Sequence, residues 1–573
     1  MVAAGLATPA TAATETITIA ASAPIIVVGD QVQLSGVASG DAGCSASRSV
    51  QLEWQAADSS AWAVVATGTT AADGTYSFAN GQQYSGSFRA TLPLDGACTA
   101  VASDAVTVRV RASVESMLVA SSLTAGSCLD LSATVSPDKS GQNVELQRRS
   151  SSGWTTVDTL TLDATSSVSA RPCFGWADIG IVRLRVRWPS QDALNATGTG
   201  ITLAFQITKA PWMERIDNLL AGRAVSVSVG ENGSFLYERA DTAPRTPASS
   251  EKLFLSMALL DALGPDFRIP TYAASGGVHG GVVKGNLWIL GRGDPSVTPA
   301  RMAALARRIE EAGITEVHGR VMGATTYFLR DWWATGWPSA AHDYVALPTA
   351  LTFDGNVLNG RNVTDPERLA ARSLTRRLEA RGIAVGGKPG AGTPPSGLSD
   401  LASIRSRDLG SLLTSMNRFS NNFAAEVLGK LLAARLAGPP GTIAEGASQA
   451  RAWVAAHGLD FTLYDGSGLS YANRVTAQGI VRLLWTADGS PWGAVFRQTL
   501  PAGGQGTLED RLTDVELRAK TGTLDSISAL SGWVWLEKEN AWGEFSILSN
   551  GMDKTRAIRI EDKIVRILTA SAH

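Results

Sequence analysis

The pattern of apolar residues changes at Pro211, and this change constrains the fold more than any other feature of the chain. Before Pro211, apolar and polar residues alternate in short runs such as residues 31–34 and 106–110, separated by clusters of Gly, Ser and Asp. This period of two is typical of half-buried β strands. After Pro211, residues 212–220 follow a helical period. Since 573 residues are too many for one core, we predict an all-β part followed by an α/β part.

A weak internal repeat divides the all-β part. Residues 50–54 (Val-Gln-Leu-Glu-Trp) are followed by Trp62, and residues 144–148 (Val-Glu-Leu-Gln-Arg) are followed by Trp154. The copies are offset by 94 and 92 residues, the size of one β-sandwich. We therefore predict two immunoglobulin-like sandwiches, at residues 14–112 and 113–209. Such modules more often space, anchor or bind than catalyse.

All four cysteines lie in this all-β part: Cys44, Cys98, Cys128 and Cys173. Four cysteines permit three pairings. We favour Cys44–Cys98 with Cys128–Cys173, because each bond then closes a loop within one module. Disulfides indicate an oxidising, exported location, and the alternative is four free buried thiols.

The first residues are also compatible with export. Residues 1–13 are small and largely apolar and contain Ala10-Thr11-Ala12, a pattern typical of signal-peptide cleavage sites. They lack a positively charged start and a full apolar stretch, so we interpret them as the remnant of a signal peptide. A disordered N-terminus is the alternative. The first interpretation makes the protein secreted and extracytoplasmic.

Composition excludes several classes of function. The net charge is −2 and no basic run occurs, so nothing favours nucleic-acid binding. No stretch approaches the roughly 18 apolar residues of a transmembrane helix. The five histidines show no metal-ligand spacing, and we expect no metal ion or cofactor.

Residues 247–254, with the sequence PASSEKLF, lead into an apolar helix. We expect the serines to lie at the N-cap, which places Ser249 and Lys252 on one face of the helix. A serine hydroxyl becomes a nucleophile when a neighbouring base takes its proton, and a lysine can do so when burial or nearby cations keep it partly neutral. Since Ser-x-x-Lys is common by chance, the alternative for this pair alone is a capped surface helix.

Two further motifs follow in chain order. Residues 420–422 (Ser-Asn-Asn) lie between two predicted helices, and residues 520–522 (Lys-Thr-Gly) lie on a predicted strand. Together with Ser249 and Lys252 they form an ordered set that is far more specific than any member alone. The set resembles that of the penicillin-recognising serine enzymes, which are the penicillin-binding proteins and the serine β-lactamases.

Spacing and other stretches narrow this resemblance. Ser249 and Ser420 are 171 residues apart, which implies an inserted domain. The rest of the chain from Pro211 onward resembles the D-alanyl-D-alanine carboxypeptidase/endopeptidase family of low-molecular-mass, class C penicillin-binding proteins. The stretches that carry this resemblance are residues 285–295 (GNLWILGRGDP), 336–338 (GWP), 464–470 (YDGSGLS), 500–504 (LPAGG) and 506–508 (GTL).

The family resemblance implies a fold, and this chain differs from the family in three respects. We expect the α/β penicillin-binding transpeptidase fold, which is serine β-lactamase-like, at residues 210–264 and 385–573, with an inserted α+β subdomain at 265–384. Asn421 occupies a position where relatives often carry Asp. The insertion is shorter than is common in the family, and the two sandwiches lie outside the family's core.

The resemblance also implies acyl transfer through a serine ester. Ser249 would attack the carbonyl between two D-alanines, and Lys252 would accept its proton. Ser420 would relay a proton to the leaving amine, with Lys520 keeping the local field positive. Asn422 would bind the amide backbone of the substrate.

The same resemblance implies a binding strand. The backbone N–H groups of Ser249 and Thr523 would form the oxyanion hole. The hydroxyls of Thr521 and Thr523, with Lys520, would hold the terminal carboxylate of the substrate. Gly522 would let the substrate lie against the strand.

We therefore predict a serine DD-peptidase that acts on peptidoglycan stem peptides, as a D-Ala-D-Ala carboxypeptidase with a further endopeptidase activity on cross-links. β-lactam antibiotics would acylate the same serine, and that ester would persist. The alternatives are a β-lactamase or esterase on the same scaffold, for which we find no dedicated water-positioning glutamate, and a non-catalytic peptidoglycan-binding wall protein.

Overall fold

A computed structural model describes residues 14–41 and 43–571, which form two units that divide between Lys209 and Ala210. The predicted signal-peptide remnant, residues 1–13, lies outside the described residues. No helix among the described residues is both long and apolar enough to cross a bilayer.

The first unit begins with a module of two facing sheets. One sheet has the strand order β3-β10-β8-β5-β6, and in the other β4 pairs with β1, β2 and β7. Alternate residues of both sheets, among them Leu34, Leu52 and Phe88, are buried between them. The strands are β1 (Thr16–Ile17), β2 (Ala20–Ala21), β3 (Ile25–Val27), β4 (Val32–Ser39), β5 (Ser49–Ala56), β6 (Ala63–Thr69), β7 (Thr75–Asn80), β8 (Gly86–Leu92), β9 (Val101–Ala102) and β10 (Val106–Arg111).

A second module of the same build follows. Its larger sheet has the order β12-β21-β19-β15-β16, and its smaller sheet has the order β11-β14-β17, so both sheets repeat the pairing of the first module. Its strands are β11 (Ser113–Leu118), β12 (Ser122–Thr124), β13 (Ser127–Cys128), β14 (Leu131–Ser136), β15 (Asn143–Ser150), β16 (Gly153–Thr161), β17 (Ser167–Ala170), β18 (Cys173–Phe174), β19 (Gly180–Trp188), β20 (Gly198–Thr199) and β21 (Leu203–Thr208).

Each module contains one disulfide. Cys44 is bonded to Cys98 and Cys128 to Cys173, which is the pairing that the sequence favours. The described residues contain no free cysteine. Each bond therefore closes a loop within its own module.

The second unit combines helices with three larger groups of strands. Its helices are α1 (Pro211–Leu220), α2 (Lys252–Leu263), α3 (Pro299–Glu311), α4 (Pro366–Glu379), α5 (Leu409–Arg418), α6 (Asn422–Leu436), α7 (Ile443–Ala456), α8 (Ala477–Asp488), α9 (Gly493–Thr499) and α10 (Lys554–Ser571). Its strands are β22 (Val225–Glu231), β23 (Ser234–Arg239), β24 (Arg268–Ser275), β25 (Val278–His279), β26 (Val282–Val283), β27 (Leu287–Gly291), β28 (Glu316–Val317), β29 (Val321–Ala324), β30 (Val357–Leu358), β31 (Arg361–Asn362), β32 (Ala384–Val385), β33 (Gly390–Gly392), β34 (Ser399–Asp408), β35 (Leu517–Leu524), β36 (Ile527–Leu536) and β37 (Ala541–Asn550).

One antiparallel sheet supports the motifs. Its order is β23-β22-β37-β36-β35, so the strand with Lys520 lies at an edge. The hairpin of β22 and β23 closes on Asn232 and Gly233, both with positive φ, as a two-residue hairpin turn requires. This hairpin forms the other edge of the sheet, and β35 lies against residues 248–251.

Helix α2 is buried on every side. Residues from Lys252 to Leu260 are all buried, because the helix passes through a core in which it packs against α5, α6, α7 and α9. A helix that is apolar all round belongs in such a core. The serines do not cap it, in contrast to the prediction. Ser249 and Ser250 lie within a 3₁₀ turn (Ala248–Glu251) whose N-cap is Pro247, with no side-chain cap.

The insertion forms a sheet of its own, with the order β33-β29-β27-β24-β34 and helices α3 and α4 against it. Strand β34 pairs antiparallel with β24, from Arg268 opposite Asp408 to Ser275 opposite Ser399. Strand β34 thus belongs to the sheet of the insertion, although it lies after the predicted boundary at residue 384. The last strand of the insertion, β34, is rich in polar residues, and no pattern in the sequence predicts that it pairs with β24.

Candidate active site

The three short motifs meet at one end of helix α2. Lys252 Nζ lies 3.0 Å from Ser249 Oγ and 2.8 Å from Asn422 Oδ1. Lys520 Nζ lies 2.9 Å from Ser420 Oγ. Segments far apart in the sequence thus contribute two lysine–hydroxyl pairs to one site.

Ser249 is held in a turn with unusual backbone geometry. The preceding Ala248 has φ of +46° and is completely buried. A positive φ in a residue with a side chain costs roughly 1–3 kcal/mol and persists only when the surroundings impose it. The 3₁₀ turn places Ser249 one turn ahead of Lys252, so the hydroxyl and the amine face each other.

Two glycines allow other segments to approach this turn. A Cβ on Gly522 would lie 2.5 Å from the carbonyl oxygen of Pro247, and a Cβ on Gly468 would lie 2.0 Å from that of Ala248. Gly468 also has φ of +81°. Only residues without a side chain fit these positions. Gly522 was singled out from the sequence for substrate contact, and the structure gives it this second role.

The segment at residues 465–470 contributes a carbonyl that sequence reasoning missed. The carbonyl oxygen of Ser467 accepts hydrogen bonds from Lys252 Nζ and, at 3.4 Å, from Ser249 Oγ. The stretch is visible in the sequence as YDGSGLS, but a backbone group leaves no sequence signal of its own. Lys252 therefore has three partners: one hydroxyl and two oxygens that can only accept.

Three buried carboxyl groups surround this lysine. Glu426 Oε1 accepts from the N–H groups of Gly466 and Ser467, at 3.1 and 2.8 Å. Asp465 accepts from the side chain of Trp337 and from backbone N–H groups of its own loop, and Glu251 accepts from Asn473. These bonds fix the loop that carries the Ser467 carbonyl.

Burial and the neighbouring carboxyl groups shift the pKa of Lys252 in opposite directions. Burial lowers the pKa of Lys252 to about 8, although Asp465, Glu426 and Glu251 each oppose the shift. Burial, followed by repulsion from Asp465, raises the pKa of Glu426 to about 8. Burial and the two neighbouring carboxyls raise the pKa of Glu251 as well. A buried lysine with a pKa near 8 is neutral in about one molecule in ten at pH 7.

Lys520 is also completely buried. Burial first, and the charge of Lys252 second, hold its pKa well below the ordinary range. Its Nζ donates to the carbonyl of Thr521 at 2.7 Å, besides its contact with Ser420. The Thr521 hydroxyl donates to Thr507 Oγ1 at 2.7 Å, which ties the strand to the 506–508 stretch.

Ser420 and its neighbours occupy the link between α5 and α6. Ser420 has φ of +54°, which turns its side chain out of the helical path toward Lys520. Asn421 caps α6, because its side chain accepts from the N–H of Ala424 at 2.9 Å. Asn422 then begins the helix, and its Nδ2 donates to the carbonyl of Tyr344 in the insertion.

An open cleft of about 740 Å³ leads to Ser249. Asn422 and Thr523 line it, and the insertion contributes Pro338 and Tyr344. Lys252, Lys520 and the three carboxyl groups lie behind the wall and do not line the cleft. A substrate would therefore meet the serine first and the lysines only through it.

The chain is similar to several known proteins. Residues 213–360 and 356–571 match the family model described as D-Ala-D-Ala carboxypeptidase 3 (S13) family. A D-alanyl-D-alanine carboxypeptidase from Actinomadura sp. (strain R39) is 29% identical over 456 residues, covering 62% of this chain and 83% of that protein. A carboxypeptidase from Mycobacterium tuberculosis is 28% identical over 395 residues, covering 63% and 82%. The crystal structure of penicillin binding protein 4 from Haemophilus influenzae is similar in fold, with a TM-score of 0.55 and 20% identity over 62% of this chain and 99% of that one.

Proposed function

The chain belongs to the D-Ala-D-Ala carboxypeptidase 3 (S13) family, and we propose that it is a serine DD-peptidase of peptidoglycan stem peptides. It hydrolyses the bond between two D-alanines through an acyl-enzyme on Ser249. The observation that carries this proposal is the set of partners around Lys252 Nζ. Two of them, Asn422 Oδ1 and the Ser467 carbonyl, can only accept hydrogen bonds.

These partners determine where a neutral lysine points its lone pair. A neutral amine has two N–H groups, and the two acceptor-only partners take both. The lone pair then faces the Ser249 hydroxyl at 3.0 Å, the one partner that can donate a proton. Lys252 is thus arranged to remove the proton as Ser249 attacks, and its pKa of about 8 keeps a neutral fraction available.

Ser420 and Lys520 act on the leaving group. Lys520 donates to Ser420 Oγ, so Ser420 can relay a proton: it gives its own proton to the departing D-alanine amine and takes up the one that Lys252 removed from Ser249. The positive field of Lys520 stabilises the developing negative charge. Asn422, with Oδ1 bound to Lys252 and Nδ2 at the cleft, orients the amide of the substrate.

The oxyanion is assigned to the backbone N–H groups of Ser249 and Thr523, each of which lies on the cleft. A donor of this kind generally contributes about 3–4 kcal/mol to the stabilisation of a transition state. Strand β35 is an edge strand, so an extended substrate adds to it beside Gly522. Its terminal carboxylate lies at the hydroxyls of Thr523 and Thr521, and the charge of the buried Lys520 acts on it from behind the cleft wall.

β-lactams fit the same assignment. They present their carbonyl to Ser249 in a ring whose leaving group stays attached, so the ester is long-lived. Penicillin binding protein 4 from Haemophilus influenzae has been crystallised with a β-lactam. We extend the activity to peptide bonds of cross-links, because the cleft is open and about 740 Å³ in volume.

We assign the two N-terminal modules to the immunoglobulin-like class and the whole protein to an extracytoplasmic location at the cell wall. The matching strand orders of the modules and their two disulfides support this assignment.

Labelling with a fluorescent penicillin tests the nucleophile. We expect one covalent adduct per chain, and mass spectrometry of a digest should locate it on the peptide that contains Ser249. An adduct on another residue, or none on the folded protein, would contradict the assignment.

A further inference from the structure

The outward face of strand β19 in the second module carries an unusual concentration of arginine. Val182, Leu184 and Val186 point into the module, and the residues between and beyond them are Arg183, Arg185 and Arg187. Arg149, on the neighbouring strand β15, lies beside Arg185. We call these four residues, 149, 183, 185 and 187, the arginine face.

The charge of this face is not balanced locally. Residues 113–209 contain eight Lys and Arg and eight Asp and Glu in total. Four of the eight cations lie on the arginine face, and the carboxylate that faces them is Glu145, at 2.8 Å from Arg187. Burial, and then repulsion from Arg187 and Arg149, lower the pKa of Arg185. Like charges on adjacent strands destabilise a sheet, so folding alone does not favour this set.

Two of these arginines, Arg185 and Arg149, nevertheless stack on the same tryptophan. The guanidinium of Arg185 lies 4.3 Å from the ring centre of Trp154, and its Nε donates to Gln147 at 2.9 Å. Arg149 lies over the same ring at 5.7 Å. In the described structure no hydrogen bond occupies the terminal nitrogens of Arg185. These nitrogens therefore form a fixed fork that faces outward.

The first module shows which part of this arrangement the fold needs. At the equivalent register Arg89 lies 4.3 Å from the ring of Trp62 and is paired with Glu53 at 2.6 Å. The positions two residues to either side of Arg89 are Ser87 and Thr91. Both modules thus share one arginine stacked on tryptophan. Arg183 and Arg187, and the exchange of the paired glutamate for Gln147, are particular to the second module.

We propose that the arginine face is a binding surface for an anionic polysaccharide. Arginine forks bind carboxylate and phosphate groups through paired hydrogen bonds. Arg183, Arg185 and Arg187 repeat along β19 at every second residue, which suits a polymer with regularly spaced negative charges. Trp154 supplies an apolar surface between Arg185 and Arg149. The polymer that binds the arginine face is an anionic polysaccharide of the cell wall. The choice of a cell-wall polymer rests on the proposed function.

Binding of labelled polygalacturonate to the full-length protein tests the proposal. The test variant is Arg183→Gln with Arg187→Gln, which leaves the stacked Arg185 in place. The control is Arg109→Gln with Arg111→Gln, which removes two exposed arginines from strand β10 of the first module. We expect the test variant to bind about tenfold or more weakly at low salt, with the control close to wild type. Rising salt should weaken the wild-type binding.

Three outcomes would overturn the proposal: equal losses in both variants, equally tight binding of neutral dextran, and equally tight binding of a DNA duplex. Release of D-alanine is measured on the same samples. Unchanged release in the test variant is expected, since the arginine face is not part of the proposed active site. Absence of release from every protein would contradict the proposed function and would leave the polysaccharide result standing.

Discussion

At the scale of single residues, the site depends on a lysine that is buried and yet close to three carboxyl groups. Burial favours the neutral amine of Lys252, and the carboxylates favour the charged one. The balance between these opposing effects sets the pH at which Lys252 can act as a base. Glu426 is the member of the cluster that also holds the Ser467 loop, through Gly466 and Ser467.

Replacement of Glu426 by Gln should move the acid limb of the acylation profile to lower pH. Activity rises as Lys252 loses its proton, and an ionised Glu426 raises the pKa of Lys252. Gln retains an oxygen for the two backbone N–H groups but cannot ionise. Because the pKa of Glu426 is itself about 8, the lost charge matters mainly near and above that pH, so Lys252 becomes neutral at lower pH by less than about one unit. The measurement is the rate of labelling by a fluorescent penicillin between about pH 5 and pH 9.

The matched control for this prediction is Glu544→Gln. Glu544 is also buried, and burial raises its pKa to about 8, but it does not act on Lys252. We expect no shift of the limb in the control. A loss of rate at every pH without a shift in the Glu426 variant would mean that Glu426 supports the loop only.

Gly522 should tolerate no side chain. Alanine would place its Cβ 2.5 Å from the Pro247 carbonyl and push β35 away from the Ser249 turn. We expect Gly522→Ala to lose about 1–3 kcal/mol of stability and most of its acylation rate. Gly429→Ala is the control, since its Cβ would lie 4.0 Å from the nearest atom. Similar acylation rates in both variants would show that the close approach is not needed.

At the scale of elements, much of the site follows from the sequence. The Ser249–Lys252 spacing, the helix break at residues 420–422 and the strand at Lys520 are all visible because each motif is local. The Ser467 carbonyl and the pairing of β34 with β24 are tertiary contacts, so no local pattern predicts them. The 3₁₀ turn before α2 was also missed, since the tight fit of Gly468 and Gly522 against it decides its form.

Asn421 is a residue whose role becomes clear from the helix that it begins. The sequence shows only that Asn421 stands where relatives often carry Asp, and the structure makes it the N-cap of α6. Asn421→Ala should cost about 1 kcal/mol, or a Tm decrease of about 2 °C, and should slow acylation by loosening the α5–α6 link. Asn421→Asp keeps the cap, and we expect it to match the wild type in a thermal melt. Equal losses in both variants would contradict the capping role.

At the scale of the whole molecule, the disulfides and the proposed chemistry lie in different units. Both disulfides lie before Lys209, and the three motifs lie after it. The sequence already indicates this separation, because all four cysteines precede Pro211 and the three motifs follow it. The division into two β modules follows from the repeat, because the offsets of 94 and 92 residues match the repeated strand order.

Reduction of the disulfides should therefore lower the stability of the first unit and leave the activity of the second unit unchanged. The disulfides close loops of 54 and 45 residues, and loss of each generally costs about 2–4 kcal/mol. Calorimetry with and without reductant should show a lower transition for the first unit only. Penicillin labelling of Ser249 should be unchanged in the same samples. A parallel loss of labelling would show that the units depend on each other.

The most direct measurement is the release of D-alanine from a peptide that ends in D-Ala-D-Ala. Wild type, Ser249→Ala and Ser250→Ala are compared. Ser250 is a matched neighbour, because its hydroxyl is buried without a hydrogen-bond partner in the described structure. We expect release from the wild type and from Ser250→Ala, and a loss of about a thousandfold or more in Ser249→Ala. Undiminished release in Ser249→Ala, or no release from the folded wild type, would contradict a DD-carboxypeptidase with Ser249 as its nucleophile.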